Sequence, residues 1–324
     1  MNINIKIMKV IVTGSCGFIG KHISEKLLKE GHKVIGIDNF NSYIYDNKFK
    51  KINSVNLKLY KNYKEINDDI LNGNFIQEHR PDIVIHLAAY ANVRKSIEEP
   101  DKYIRNNVEC TCKVLNEIAN CTNQPSLIYA SSSSVYGTNL KIPFEENDTL
   151  NNIISPYALS KKMCEDLVDL FCKTKNIRAI GLRFFTAYGP GGRPDMAIYN
   201  FLKKIHENKS ITIFGDGTMQ RDYTYVGDIV QGIYNCIQIS LKENEHRLYN
   251  IGNNSPISLI KLIQTCEDVV GKKAIINYMK IPDGDVPITY ANIEKAKNEL
   301  NYQPITNIYE GLTQTYIWFN SLNI

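Results

Sequence analysis

The chain has 324 residues, enough for two domains or one large one and too many for a single small core. Apolar residues make up 43% and charged residues 22%, as in a soluble globular enzyme, and no apolar run approaches the roughly 18 residues that a membrane span needs. The formal charge of +4 is spread over 38 basic and 34 acidic residues without a basic block, which argues against a nucleic-acid footprint.

The stretch from Met1 to Val10 shows no basic region ahead of an apolar core and cleavage site, so a secretory leader is not expected; Met8 offers an alternative start. Lys9–Thr13 is a short apolar run ending at glycine and predicts a strand. Lys21–Glu30 has helical apolar spacing and stops at Gly31. Val34–Asp38, Asp82–Leu87 and Leu127–Ala130 read as further strands, the last two apolar enough to be buried on both faces. Asn107–Asn120 and Ala158–Lys173 predict helices, and Arg178–Phe184 another strand. This alternation predicts an α/β fold, a doubly wound parallel sheet of Rossmann type, with the loops after the strands on one ligand-binding edge.

After Phe185 the texture changes: Ala187–Pro194 is rich in glycine and proline, and the strands shorten. Asp228–Gln238 reads as one more helix and Arg247–Ile251 as a strand able to rejoin the sheet. The expected division is therefore a first domain over 1–185 plus about 228–251, and a smaller, discontinuous one over about 186–227 and 252–324.

Eight cysteines lie scattered, with no Cys-x-x-Cys pair and no cysteine–histidine spacing suited to zinc, so no metal site is expected and the chain reads as a reduced, intracellular protein. The six histidines are dispersed as well. His86, inside the apolar run Ile83–Ala89, reads as a core or loop-edge residue.

Two constellations carry chemistry. Gly14-Ser-Cys-Gly17-Phe18-Ile19-Gly20 links the first strand to the first helix. Missing side chains there let the backbone turn tightly and approach a pyrophosphate at a helix N-terminus. Asp38, followed by Asn39, ends the second strand, where a carboxylate accepts ribose hydroxyls and repels a 2′-phosphate; this predicts NAD rather than NADP. Asp69-Ile70 after the third strand is placed to meet adenine, or forms a polar turn. Leu87-Ala88-Ala89 offers small residues where a cofactor passes. The second constellation is Tyr157 and Lys161, one turn apart on a predicted helix. An ammonium beside a phenol favours the phenolate and makes it a base.

Taken in order, Gly14–Gly20, His86–Ala89, Asn107-Val108, Ser131–Gly137, Tyr157/Lys161, Arg183–Pro190, Arg221-Asp222 and Gly284-Asp285 resemble the extended short-chain dehydrogenase/reductase superfamily, specifically its NAD-dependent nucleotide-sugar epimerases, over nearly the whole chain. The resemblance implies that Tyr157 takes the proton of a sugar 4-hydroxyl, that Lys161 holds the nicotinamide ribose, that Ser132 bonds the same hydroxyl, and that Asn107 belongs to the cofactor set. Dehydratases of the superfamily carry Asp-Glu where this chain has Ser133 and Ser134, and decarboxylases a glutamate at the second, so the segment points to epimerisation. Phe184-Phe185-Thr186 and Arg193–Ala197 resemble the UDP-glucuronate 4-epimerases, with Ser133, Ser134 and Thr186 as hydroxyl donors to a carboxylate. Arg221 is implied at the diphosphate, Arg193 there or near the sugar, and Asp285 at a ribose. Phe201 and Ile213–Gly215 flank uracil or fill a core. Departures are Pro282, where relatives carry arginine or glutamine, Cys110, where they carry glycine, and Thr289, small enough to admit N-acetylated sugars. UDP-glucose or UDP-N-acetylglucosamine epimerases remain alternatives, as does a catalytically idle NAD-binding protein. A homodimer built on Asn107–Asn120 and Ala158–Lys173 is expected from the same resemblance, and a cytoplasmic setting from the cysteine usage.

Overall fold

Lys9 to Thr13 form the first strand, and Val10, Ile11 and Val12 are wholly buried, as in a strand covered on both faces. The structure, a computed structural model, describes residues 6–239, 241–280 and 288–322. In chain order the elements are β1 (Lys9–Thr13), α1 (Phe18–Lys29), β2 (Lys33–Ile37), α2 (Lys48–Leu57), β3 (Tyr63–Ile66), α3 (Phe75–His79) and β4 (Ile83–His86). Next come α4 (Val93–Glu98), α5 (Pro100–Tyr103), a π-helical turn (Ile104–Glu109), α6 (Cys110–Ala119), β5 (Ser126–Ser132), a 3-10 turn (Ser133–Tyr136), α7 (Pro156–Lys175) and β6 (Ala179–Phe184). They continue with β7 (Thr186–Tyr188), α8 (Ala197–His206), β8 (Ser210–Phe214), β9 (Gln220–Arg221), β10 (Tyr223–Tyr225), α9 (Val226–Ile237) and β11 (His246–Ile251). The last are β12 (Ile257–Ser258), α10 (Leu259–Val270), β13 (Ile275–Met279), β14 (Ile288–Thr289), α11 (Glu294–Leu300) and α12 (Ile308–Ser321).

The chain forms two compact units, Met1–Val135 with Ser155–Arg183 and Ile233–Tyr249, and Tyr136–Ile154 with Phe184–Gly232 and Asn250–Ile324. The first is built on a seven-stranded sheet of order β11-β6-β5-β4-β1-β2-β3. Pairing is parallel from β3 through β2, β1 and β4 to β5. The strand order reverses between β1 and β4, so the loops after these two strands flank the crevice where doubly wound sheets bind ligands. Ile11, Ile35, Ile37, Val84 and Leu127 share one core with Val114, Leu115 and Ile118 of α6 and Val168 and Cys172 of α7. Cutting Ile11 back to alanine would open that core at a cost of about 2–5 kcal/mol.

Helix α7 shows how the local sequence fixes its start. Ser155 is the N-cap and accepts from Ala158 N at 3.1 Å, and Pro156, which has no N–H to lose, takes the first turn. Asn176 ends it in a left-handed conformation. Tyr157 and Lys161 therefore sit in the first two turns, where the frame is best anchored.

In the second unit, Ile198, Phe201, Leu202 and Ile205 of α8 share a core with Ile211, Ile213, Leu262, Ile263, Cys266 and Leu312. The expected boundary kept 136–154 in the first domain, whereas it groups with the second unit. Long-range bonds explain this: Phe144 N donates to Tyr290 O at 3.0 Å, and Asn250 Nδ2 to Phe144 O at 2.9 Å. The Tyr136 and Phe144 rings stack with centroids 4.6 Å apart.

Candidate active site

The glycine loop is packed too closely for side chains. Gly14 has φ +68, and a Cβ on it would lie 3.0 Å from Ala88 N. A Cβ on Gly20 would meet Gly14 O at 2.0 Å. The turn is closed by Gly14 N donating to Ile37 O at 2.7 Å and Gly17 N to Gly14 O at 3.0 Å. Gly17 is the N-cap of α1 and supplies no side-chain cap, leaving first-turn N–H groups for an anion. Phe18 and Ile19 occupy that turn, half-buried. The small residues Ala88 and Ala89 follow β4 across the same crevice edge.

At the end of β2 the Asp38 carboxylate is 5% exposed and accepts from Cys16 N at 3.1 Å and Phe40 N at 2.9 Å. Oδ2 keeps a lone pair for a ribose hydroxyl, while Oδ1 also faces Lys50 Nζ at 3.5 Å. Asn39 and Asp69 are brought together, Asn39 Nδ2 donating to Asp69 Oδ2 at 2.8 Å. Ile70 is buried in the sheet core, so only its backbone remains available to a ligand. Asn107 is buried on the π-helical turn, and its amide spans Tyr90 N (2.8 Å), Tyr90 O (3.0 Å) and Ser160 Oγ (2.9 Å). A π-turn inside a predicted α-helix often marks a functional position. The loop, the carboxylate and the closely approaching alanines together fit a dinucleotide.

The catalytic candidates lie at the end of β5 and the start of α7. Lys161 is 6% exposed and its Nζ donates to Ala130 O at 2.9 Å, which ties α7 to the strand that ends in Ser132. Tyr157 is 9% exposed, with the edge of the Tyr103 ring against it at 6.3 Å between centroids. Ser132 Oγ accepts from Ser134 N at 3.1 Å, which shapes the 3-10 turn carrying Ser133 and Ser134 half-buried.

Behind them lies an ion pair that the motifs did not reveal. Arg183 donates through Nε and Nη2 to the two Glu165 oxygens, each at 2.9 Å, and Ser131 Oγ donates to Glu165 Oε1 at 2.6 Å. All three are buried. Glu165 lies one turn beyond Lys161 on the same helix face, and that spacing was the available signal. Burial, with the charge of Asp69 next, pushes the Cys110 thiol up to about 12. Buried at this position, Cys110 serves as a small apolar filler.

In the second unit a cavity of about 220 Å³ is lined by Thr186, Arg193, Arg221, Tyr188, Met196 and Tyr199, among others. It gathers three of the expected substrate residues. Arg193 is held by Asp195 through Nε–Oδ1 at 3.0 Å and Nη2–Oδ2 at 2.6 Å. Arg221 stands opposite Thr289 in the β9–β14 ladder. Beside it, the buried Asp222 carboxylate accepts from Asn253 N, Asn254 N and Ala291 N at 2.7, 3.0 and 3.1 Å. Phe201 is 8% exposed within the apolar core and does not line the cavity, in keeping with the core alternative. Asp285 and Pro282 lie outside the described residues.

The NAD dependent epimerase/dehydratase family profile matches residues 10–252. The chain belongs to this family. NAD is accordingly its cofactor. A UDP-glucuronate 4-epimerase from Thermodesulfobacterium geofontis is 40% identical over 314 residues, covering 95% of each chain. Among solved structures, the UDP-glucuronic acid 4-epimerase of Bacillus cereus in complex with UDP-glucuronic acid and NAD is 34% identical, with a TM-score of 0.91 over 97% of this chain and 100% of that one. A UDP-N-acetylglucosamine 4-epimerase from Methanobrevibacter ruminantium M1, in complex with UDP-N-acetylmuramic acid, gives 28% and 0.89 over 98% and 100%. These relatives match nearly the whole length of the chain, beyond the residues that the family profile covers. No helix among the described residues is long and apolar enough to cross a membrane.

Proposed function

We propose that the chain is a UDP-glucuronate 4-epimerase, interconverting UDP-glucuronate and UDP-galacturonate. The observation that carries this reading is the end of β5, where Ser132, Ser133 and Ser134 follow the carbonyl that anchors Lys161. Hydroxyls there can bond a substrate but cannot act as the acid and base that elimination requires at neutral pH. NAD, when bound, supplies reversible hydride acceptance at the sugar C4. Tyr157 accepts the proton of the 4-hydroxyl and later returns it, and Ser132 orients that hydroxyl. Lys161 keeps a positive charge beside the phenol that becomes phenolate. The sugar passes through a 4-keto form that turns over before reduction, so no redox equivalent is consumed.

The roles of the remaining residues follow by unit. In the first, Gly14, Gly17 and Gly20 admit the pyrophosphate, and Asp38 takes the adenosine ribose. Asn39 and Asp69 form the adenine edge, and Asn107 braces the nicotinamide side. Ser133 and Ser134 offer neutral hydroxyls to the C6 carboxylate. In the second, Thr186 offers another, Arg221 with its planar fork suits the diphosphate, and Arg193 assists. The first unit is read as the NAD-binding domain and the second as the UDP-sugar domain. All eight cysteines are free thiols, which favours a reducing cytoplasmic setting. Exposed Leu159 and Leu170 on α7 suit a homodimer contact.

Incubating the purified protein with UDP-glucuronate, UDP-glucose and UDP-N-acetylglucosamine in separate reactions tests the reading. Conversion of UDP-glucuronate to a second uronate supports it. Conversion of the neutral sugars alone overturns the substrate assignment, and tight NAD binding without turnover of any of them indicates an idle binding protein.

A further inference from the structure

We propose that His86 is a positioning residue that, as a neutral imidazole protonated on Nε2, connects the glycine loop to the helix carrying Tyr157. His86 ends β4 and is 5% exposed. Its Nδ1 lies 2.7 Å from Thr13 Oγ1, and its Nε2 lies 3.3 Å from Thr111 Oγ1. The partners decide the tautomer. Thr111 Oγ1 has one proton, which goes to Asn107 O at 2.8 Å or to Cys164 Sγ at 3.3 Å, so it turns lone pairs to the imidazole and Nε2 carries the N–H. Nδ1 is then bare and accepts from Thr13 Oγ1–H. Thr13 Oγ1 in turn accepts from Ala88 N at 3.2 Å.

The chain of donors and acceptors continues at both ends. Ala88 belongs to the crevice edge where a Cβ on Gly14 would collide, and Thr13 is the residue before Gly14. On the other side, Asn107 Nδ2 donates to Ser160 Oγ at 2.9 Å, and Ser160 Oγ to Tyr157 O at 2.7 Å. One buried imidazole thus joins the residue before the glycine loop to the main-chain carbonyl of Asn107, whose side-chain amide in turn reaches the Tyr157 carbonyl through Ser160. Burial, with the nearby Lys161 charge adding to it, pushes the imidazole down to about 3, so it stays neutral. The Cys164 thiol also meets Thr111 Oγ1 at 3.3 Å; burial raises its pKa, so it adds no charge to the path.

Nitrogen-15 NMR of histidine-labelled, NAD-loaded protein tests the assignment without reference to any substrate. A bare Nδ1 and a protonated Nε2 on His86, unchanged from about pH 8 to about pH 5.5, are expected; an Nδ1–H tautomer or titration in that window overturns the proposal. The activity arm rests on the epimerase reading. His86→Phe should weaken NAD binding and lower kcat by about tenfold or more with the KM for UDP-glucuronate unchanged, while His86→Asn and His86→Gln, each keeping one of the two polar positions, fall between. A kcat and NAD affinity within about twofold of the unsubstituted protein in a folded His86→Phe variant would also overturn it. Should the unsubstituted protein turn over no UDP-sugar, the epimerase reading fails, and the tautomer and NAD affinity still decide the role of His86.

Discussion

Glu165 and Arg183, eighteen positions apart in sequence, form a buried two-bond ion pair that locks α7, the helix of Tyr157 and Lys161, to β6. Its geometry satisfies both charges, and Ser131 adds a third bond from β5. Glu165→Gln leaves the guanidinium without its counter-charge and should cost about 3–5 kcal/mol, read as a lower urea midpoint. The Glu165→Gln/Arg183→Leu double variant should recover part of that loss. Equal stability of Glu165→Gln and the parent would show that the pair contributes nothing.

Tyr157→Phe removes a hydroxyl and leaves the ring packed against Tyr103. Epimerisation should fall by about 10²–10⁴-fold, while NAD and UDP-sugar binding hold. Calorimetric titration alongside rate measurement separates the two.

Asp38→Ala should weaken NAD by about 1.5–3 kcal/mol, or about tenfold to hundredfold. The same change leaves Lys50, now 3.5 Å from the carboxylate, without that partner and able to meet a 2′-phosphate. NADP affinity should therefore rise, as cofactor fluorescence titration would show. An unchanged NAD-to-NADP ratio would remove Asp38 from cofactor selection.

Arg221→Ala should raise the KM for the UDP-sugar by about tenfold to hundredfold, as expected for losing charge-assisted bonds, with kcat little changed. Steady-state kinetics reads both constants. A fall in kcat at constant KM would contradict a diphosphate-binding role.

The low pKa of His86 also sets an acid limit on stability. At neutral pH the imidazole is uncharged folded or unfolded, so it contributes no pH dependence. Below about 6.5 the unfolded chain takes up a proton that the fold refuses, and stability falls with pH until the folded value of about 3 is reached. The loss amounts to up to about 5 kcal/mol over that window. Denaturation curves from pH 7 to pH 5 should be shallower in pH for His86→Gln than for the parent.

Much of this was legible in the chain because the signals are local. The run Lys9–Gly20 sets strand, turn and helix start within twelve residues, and the spacing of Tyr157 and Lys161 reads as one helical turn, although the helix starts at Pro156 rather than at the expected Ala158. Helix α2 was not legible: it buries only Phe49, Ser54 and Leu57 and exposes Ile52 and Val55, so it lacks an apolar stripe. Sequence spacing also placed the helix Asn107–Asn120 without the π-turn Ile104–Glu109, whose Asn107 side chain bonds Tyr90 and Ser160. The placement of 136–154, the Glu165–Arg183 pair and the partners of His86 depend on contacts across 18 to 147 positions, which no local pattern encodes. Phe201 fitted both an aromatic wall and a core by type, and packing alone distinguishes them.

The central claim is reversible oxidation at C4 with the hydrogen returned to the same carbon. Running the reaction in D2O with UDP-glucuronate and following C4 of the product by proton NMR tests it most directly. UDP-galacturonate that carries no solvent deuterium at C4, and that retains a deuterium placed there in the substrate, is the predicted result. Solvent deuterium at C4, or UDP-glucuronate left unchanged by NAD-loaded protein, would contradict it.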